Sequence, residues 1–421
     1  MKQPIFTNFA PNQRWQDIKL ACKYFLPWNW NKLIKGKEVK KVEKWFNNFL
    51  GNKYSFCFDS GRSSLYLALK SLEVNKGDEV IIPGYTCIVV SNAVKKTGAK
   101  PIFVDINQHL NLDPKEIKDK INNNTKAIIA QHTFGKPVQI RKIKQIAEEN
   151  ELAIIEDCAH SLGGKYKNHK LGNFGDISIF SFGVDKVVSS VRGGLVSTND
   201  KKIANKLEKY QQGLSNISYL NLFKHLIYYP IFSIGKKLYH IKLGKIILYL
   251  TRKFKIIASI IKTKEKNGGF DKKFPTKLPN SLASLAKKQL NFLNNYTKHR
   301  KKIAKIYNKK LPGEIIAQPY NNQRTYLNFP ILVKNKDNLL KLAKNKGFLL
   351  GKNWSGSNIV PVGSSREEVG YKPGSCPKAE KLSEHIILLP TNINISKKEA
   401  RDLADFIVKL IKKNKINYVQ N

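Results

Sequence analysis

The sequence predicts an α/β protein, with a large domain on a mainly parallel sheet and a smaller α+β domain at the C-terminal end. Three observations lead there. Across 54–197 short β-rich runs alternate with helical patterns, the arrangement of a sheet covered by helices on both faces. The runs 152–155 and 176–182 are apolar and bounded by turn residues, as strands buried on both sides must be. Finally, 421 residues give room for a second core, and beyond Thr325 the pattern changes to strands and helices in a smaller unit. We divide the chain into an N-terminal extension (1–35), a large domain (36–213), a basic amphipathic helical insertion (214–270), and a linking helix with the small domain (271–421).

The extension carries Trp15, Trp28 and Trp30 but no motif. In 36–51 the residues Val39, Val42, Trp45, Phe46 and Phe49 make a helical stripe. A short strand at 54–58 runs into Asp59-Ser60-Gly61-Arg62-Ser63-Ser64 and a helix at 65–72. Small hydroxylated residues and a glycine at that junction suit a phosphate held by backbone N–H groups, and equally an ordinary N-cap. A helix ending near Gly98, a strand at 100–105, a helix at 111–120, a strand at 125–131 and a surface helix at 140–150 follow. His132, just past its strand, either shapes a pocket or serves the structure.

After a helix at 201–212 the segment 219–261 is apolar but studded with lysines. Leu243, Ile246, Ile247, Leu250, Phe254, Ile257 and Ile261 fall on one helical face, with Lys245, Arg252, Lys253 and Lys255 among the rest. No apolar run approaches the roughly 18 to 20 residues of a spanning helix. Such a basic amphipathic segment fits one lying on an anionic bilayer, and equally a helical hairpin packed on its own body or across a dimer. A linker at 266–269 leads to a long helix at 290–311. The small domain then reads as strand 326–333, helix 336–346, an irregular stretch with Trp354, Ser355 and Cys376, the run 386–391 and a helix at 397–413. Trp354 suits stacking on a sugar or base, or filling the core.

The 75 Lys and Arg against 31 Asp and Glu give a formal charge of +44. These cations are spread over the whole length beside frequent Asn and Ile and no reading motif accompanies them, so we expect no nucleic-acid partner, although acidic substrates would be drawn in. Five scattered cysteines lack metal-ligand spacing and disulfide pairing, so no metal is expected. The N-terminal residues carry no apolar core of signal-peptide length, which leaves the cytoplasm as the expected compartment, with contact at the inner face of the membrane if 219–261 lies on lipid.

The chemistry gathers where the two apolar runs end. The first gives way to Glu156, Asp157 and His160, the second to Ser181, Asp185 and Lys186, and α/β folds place ligands just past strand ends. Pyridoxal 5'-phosphate (PLP) needs a lysine amine to condense with its aldehyde and a carboxylate to keep its ring nitrogen protonated. Asp157 and Lys186 supply that pair, unless Asp157 caps a helix and Lys186 is one solvated lysine among many.

Several motifs resemble the DegT/StrS family of PLP-dependent sugar aminotransferases, near its perosamine-synthetase branch: Glu156-Asp157-Cys158-Ala159-His160, Gly172-Asn173-Phe174-Gly175-Asp176, Ser181-Phe182, Lys186 and Gly193-Gly194. The resemblance extends to Gly77-Asp78-Glu79-Val80-Ile81-Ile82-Pro83, to His132-Thr133-Phe134-Gly135 and to Leu389-Pro390. It implies the type I fold of PLP-dependent transferases, with a seven-stranded sheet, and a homodimer. Lys186 and Asp157 become the catalytic pair. Ser60, Gly61, Arg62, Ser63, Cys87, Asp157, His160, Ser181 and Lys186 become the cofactor residues. Ser181 and the 60–63 loop would hold the phosphate, and His160 would lie near the ring oxygen or Asp157. Arg62 stands where the family has threonine, so its guanidinium is expected to pair with the phosphate. Cys87 stands where many relatives carry an aromatic ring, and Pro275 where many carry an asparagine that reaches across the dimer. A family branch with histidine in place of the lysine dehydrates instead, so Lys186 implies transamination of a nucleotide-linked keto sugar, with glutamate as amino donor, for surface glycan synthesis. The alternative is a protein of this fold that binds PLP without turnover, as a regulator or scaffold.

Overall fold

Seven strands make the central sheet in the computed structural model, which describes residues 4–7, 12–259, 261–270, 274–352, 358–359 and 366–419. They are β1 (Tyr54–Phe58), β2 (Glu79–Pro83), β3 (Lys100–Val104), β4 (Thr125–Gln131), β5 (Ala153–Asp157), β6 (Ile177–Ser181) and β7 (Gly194–Thr198). Their order is β1-β7-β6-β5-β4-β2-β3. Only β7 runs against its neighbours, so the sheet is seven-stranded and mainly parallel, as expected.

Side chains along β4 show why this sheet is covered twice. Successive residues of a strand point to opposite faces, and here Ala127 and Ile129 join one apolar cluster while Ile128 and Ala130 join another. The first is closed by α3 (Gly61–Ser71) and α4 (Ile88–Thr97), the second by α5 (Ile140–Glu149). A third cluster lies under α2 (Glu38–Leu50), where Val42 and Phe46 of the predicted stripe are buried. The predicted helix at 111–120 is instead two 3-10 turns, Pro114–Glu116 and Lys118–Lys120. Asp113 caps the first by accepting from the Lys115 N–H at 3.1 Å, and Asn111 is drawn away to the carbonyls of Lys136 and Pro137.

After α6 (Lys201–Gly213) the segment read from the sequence as an insertion folds as α7 (Tyr219–Leu226), α8 (Tyr228–Lys237) and α9 (Leu243–Lys253). The α9 stripe corrects the sequence reading in two ways. The helix stops at Lys253, and Lys255 takes a left-handed φ of 54°, so Ile257 turns back into the core and lies off the helix. Moreover the buried side of α9 is Gly244, Leu248 and Thr251, while Leu243, Ile246, Leu250 and Phe254 face outward. Two glycines set that rotation. A Cβ on Gly244 would sit 2.0 Å from the Gly235 carbonyl oxygen, and one on Gly235 would sit 2.6 Å from Leu248, so α8 and α9 cross closely only on these faces. The inner side packs Leu222, Leu226, Tyr229, Phe232 and Leu248 with Phe180, Phe182 and Val184 of the large domain. The hairpin thus packs on its own body, and its outer face is exposed among the described residues. Among the described residues no helix is long and apolar enough to cross a membrane.

The remainder is a small unit beside the sheet's C-terminal edge. A helix at α10 (Asn280–Leu290) precedes α11 (Leu293–Lys310), and the strands Phe329–Leu332 and Ile386–Leu389 pair antiparallel. Lys336–Asn345 is α12, Pro377–His385 is α13, and Lys397–Lys412 is α14, which packs on α11. The extension, with α1 (Trp15–Lys23), is built into the body: Ile5–Phe6 pairs with Phe348–Leu349, and Phe6 touches the rings of Phe232 and Tyr239. Trp354 and Ser355 lie outside the described residues.

Candidate active site

A cavity of about 590 Å³ opens at the C-terminal ends of β4, β5 and β6, where parallel strands of an α/β sheet place their ligands. The small domain closes one side with Leu327, Asn328 and Leu388, and the insertion closes another. A second cavity, of about 500 Å³, lies at the opposite strand ends around Asn52, Ala153, Asp176 and Thr198 and holds none of the candidate residues.

Asp157 ends β5 and is 5% exposed. Its Oδ1 accepts from the Ala159 N–H at 2.9 Å. Burial raises its pKa above the ordinary carboxylate value, against the pull of that hydrogen bond and of the Lys186 charge. Lys186 reaches the same cavity from the loop between β6 and β7. That loop is shaped by Phe182 N–H on the Gly193 carbonyl (2.8 Å), Ser190 N–H on the Phe182 carbonyl (2.9 Å) and Lys186 N–H on the Gly183 carbonyl (3.2 Å). The ammonium lies 3.7 Å from Asp185. Strands β5 and β6 are direct neighbours, which is why the acid and the amine line one cavity.

Ser60 caps α3, its Oγ accepting from the Ser63 N–H at 3.3 Å. The first turn of a helix leaves N–H groups without intrahelical partners, and Ser60, Gly61 and Arg62 line the cavity there. A Cβ on Gly61 would stand 2.8 Å from the Ser181 Cβ, and one on Gly194 would stand 2.5 Å from the Ser60 carbonyl carbon. The helix start is thus pressed against the ends of β6 and β7, and only hydrogen fits between them. Ser181 lines the cavity too, its Oγ accepting from the Gly183 N–H at 3.3 Å.

Two expectations change. Ser63 is fully buried and outside the cavity lining, because its hydroxyl donates to Asp59 and lies 3.0 Å from Ser60 Oγ. Arg62 does line the cavity, but its guanidinium is ion-paired with Glu265 at the end of the insertion, where a phosphate partner was expected.

Cys87 and Ala159 both line the cavity. His160 is 8% exposed in a turn after Asp157. Its Nδ1 accepts from the Phe134 N–H at 3.4 Å, which puts the ring proton on Nε2, and burial holds its pKa well below the ordinary histidine value. The Phe134 ring stacks parallel to it, centroids 5.8 Å apart. His132 takes the structural role. It sits outside the lining, with Nε2 2.8 Å from Glu156 and Nδ1 accepting from the Val138 N–H at 3.2 Å. Burial works to raise Glu156, but His132 and the Gly172 and Phe174 N–H groups outweigh it and lower its pKa.

Sequence reasoning missed three kinds of residue here. Gln131 ends β4 in the lining, and its Oε1 accepts from Thr86 Oγ1 at 2.6 Å. Arg192, beside the glycine pair, lines the cavity and is held by Asp59, with Nε to Oδ2 at 2.9 Å; its place in the motif was the available signal. His225, Tyr228 and Arg252 of the insertion also line it, and no motif marked them.

The model of the DegT/DnrJ/EryC1/StrS aminotransferase family matches residues 16–239 and 252–408. The GDP-perosamine synthase of Escherichia coli O157:H7 is 41% identical over 183 residues, covering 43% of this chain and 50% of that protein. This chain thus aligns with about half the length of that relative. An uncharacterized protein of Methanocaldococcus jannaschii is 28% identical over 393 residues, covering 90% of this chain and 92% of that one. Among solved structures, Spr1654 from Streptococcus pneumoniae in its PLP form superposes with a TM-score of 0.73 at 19% identity, over 97% of this chain and 99% of that one. The chain belongs to the DegT/DnrJ/EryC1/StrS aminotransferase family.

Proposed function

We propose that this member of the DegT/DnrJ/EryC1/StrS family is a PLP-dependent aminotransferase that converts a nucleotide-linked keto sugar to an amino sugar for surface polysaccharide synthesis, with glutamate as amino donor. The observation that carries the reading is the meeting of Lys186 and a buried Asp157 in one cavity, from the ends of neighbouring strands. A name given to the E. coli relative, GDP-perosamine synthase, supports the substrate class.

The residues present fit PLP. A carboxylate buried without a full counter-charge calls for a cation beside it, an amine lies in the same cavity, and a helix start lines that cavity, packed so closely that a Cβ at Gly61 or Gly194 would fill it. When bound, PLP supplies an aldehyde that exchanges oxygen for nitrogen and a ring that accepts electrons from the donor's α-carbon. Asp157 would hold the proton on the ring nitrogen by opposite charge. Lys186 Nζ would bind the aldehyde carbon and, once displaced by the incoming amine, carry the proton to and from the α-carbon. His160, neutral with its proton on Nε2, would donate to the ring oxygen. Ser60, Ser181 and the N–H groups of Gly61 and Arg62 would take the phosphate, and Cys87 and Ala159 would cover the ring. Lys186→Ala should abolish both turnover and the visible absorbance of bound PLP, with a loss of at least about a thousandfold. A variant that still aminated a panel of nucleotide-linked keto sugars, read by mass spectrometry of the products, would refute the assignment.

We further infer a cytoplasmic homodimer whose insertion rests on an anionic bilayer. Leu243, Ile246, Tyr249, Leu250 and Phe254 are exposed on α9, with Lys242, Lys245, Lys253 and Lys255 exposed around them. An apolar strip rimmed by cations complements lipid tails beneath anionic headgroups. The inner face of the insertion belongs to the core, so deleting 219–261 would damage the fold. Ile246→Glu with Phe254→Glu is the cleaner probe. Wild type should float with anionic vesicles and not with neutral ones, the double variant should float with neither, and its stability should stay within about 0.5 kcal/mol. Equal flotation of both proteins rejects the contact.

A further inference from the structure

The insertion finishes one wall of the cavity from within the same chain. His225 near the end of α7 and Tyr228 at the start of α8 stand three residues apart across a junction, Ile227, whose backbone stays right-handed helical, so both project to one side. That side is the cavity, and Arg252 from α9 joins them there. His225 is 7% exposed and Tyr228 3% exposed. Among the described residues neither His225 Nδ1 nor the Tyr228 hydroxyl has a hydrogen-bond partner, although both atoms are buried. Buried polar atoms are ordinarily paired, and orphans on two side chains that line one cavity point to a ligand that completes them.

The surroundings say what kind. Burial, with the Arg192 and Lys262 charges, drives the His225 pKa to about 3, so the imidazole is neutral near pH 7 and can donate one N–H. Burial also raises the Tyr228 pKa, so the phenol keeps its proton, and the Arg252 charge and the opposing Asp185 charge act on it. Two neutral donors stand beside a permanent cation. An oxyanion takes all three, whereas a second cation would be repelled by Arg252 and Arg192.

We propose that His225, Tyr228 and Arg252 form a substrate oxyanion subsite contributed by the insertion, in the cavity that Asp157 and Lys186 also line. This rests on the aminotransferase reading above. Two groups of that reaction share the required chemistry, the carboxylate of the amino donor and the diphosphate of the nucleotide-linked sugar. Each is tested separately.

The probes are L-glutamate and GDP, used on full-length protein loaded with PLP, with wild type, Arg252→Ala and Tyr228→Phe compared. GDP affinity is read by calorimetry, which needs no turnover, and glutamate by the concentration that half-converts the visible PLP band without acceptor. Arg252→Ala should weaken one of the two at least tenfold and Tyr228→Phe the same one several-fold, with PLP loading unchanged in both variants. A loss confined to GDP assigns the diphosphate, and a loss confined to glutamate assigns the carboxylate. If both probes bind the variants as they bind wild type, the subsite is wrong. A wild type that takes up no PLP sinks the aminotransferase reading instead, and GDP calorimetry on that protein still decides the subsite.

Discussion

On the sheet side of the cavity the polar groups are engaged within the chain: Asp157 by Ala159, His160 by Phe134, Ser181 by Gly183 and Gln131 by Thr86. On the insertion side His225 and Tyr228 bury polar atoms without a partner. The sheet wall is set before any ligand arrives, as chemistry on a fixed cofactor demands. The insertion wall leaves its donors for whatever enters, which suits recognition. The outer surfaces of the two regions differ as well, since helices cover the sheet on both faces while α9 turns an apolar strip to solvent.

The sharpest way to break this comparison is to disturb the sheet wall. Asp157→Asn keeps the shape but removes the charge, so kcat should fall about a hundredfold or more while bound PLP remains countable by absorbance. A fall limited to a few-fold would mean the sheet wall is not the chemical one.

The tie between the walls comes next. Arg62 and Glu265 form a largely buried ion pair that joins the helix start to the end of the insertion. Removing one partner leaves an uncompensated buried charge, so Glu265→Gln should lower stability by on the order of 3 kcal/mol in denaturant unfolding. A neutral result would show that the insertion docks independently of the cofactor loop.

The smallest effect sharpens the insertion side. His225 titrates near 6.5 when unfolded and near 3 when folded, so as the pH falls the unfolded chain takes up the proton first. Its contribution to stability is therefore complete above about pH 6.5 and is lost as the pH falls from there toward 3. The slope it adds is at most about 1.4 kcal/mol per pH unit. His225→Gln should flatten the dependence of stability on pH between 6.5 and 4, and identical slopes would place His225 in solvent.

The sheet wall was legible because its signals are local. Runs such as Tyr54–Phe58 and Thr125–Gln131 are β-rich and bounded by turn residues, and strands end where such runs end. Asp157 and Lys186 follow from strand ends brought side by side. What escaped reading depends on contacts distant in sequence. Ser63 belongs to a plausible phosphate loop, yet Asp59 claims its hydroxyl, and Arg62 lies 203 positions from the Glu265 that binds it. The α9 stripe was found but assigned to one continuous helix, because periodicity marks an apolar face without saying whether that face or another is buried. Here Gly235 and Gly244 decide, through a close crossing of two helices that no single-helix pattern encodes. The turns at 114–120 were mistaken for a helix because the local pattern is weak and Pro114 opens only a short one.

The close seating of Gly61 against Ser181 has a consequence for how the protein acquires its cofactor. The anchors proposed for the two ends of the molecule, the helix start and the strand leading to Lys186, are set against each other by the Gly61 backbone packing on the Ser181 side chain, where only hydrogen fits. Their spacing is a property of the polypeptide alone. Cofactor uptake is then a late docking onto a finished frame, and chain synthesis and vitamin supply need not be synchronised.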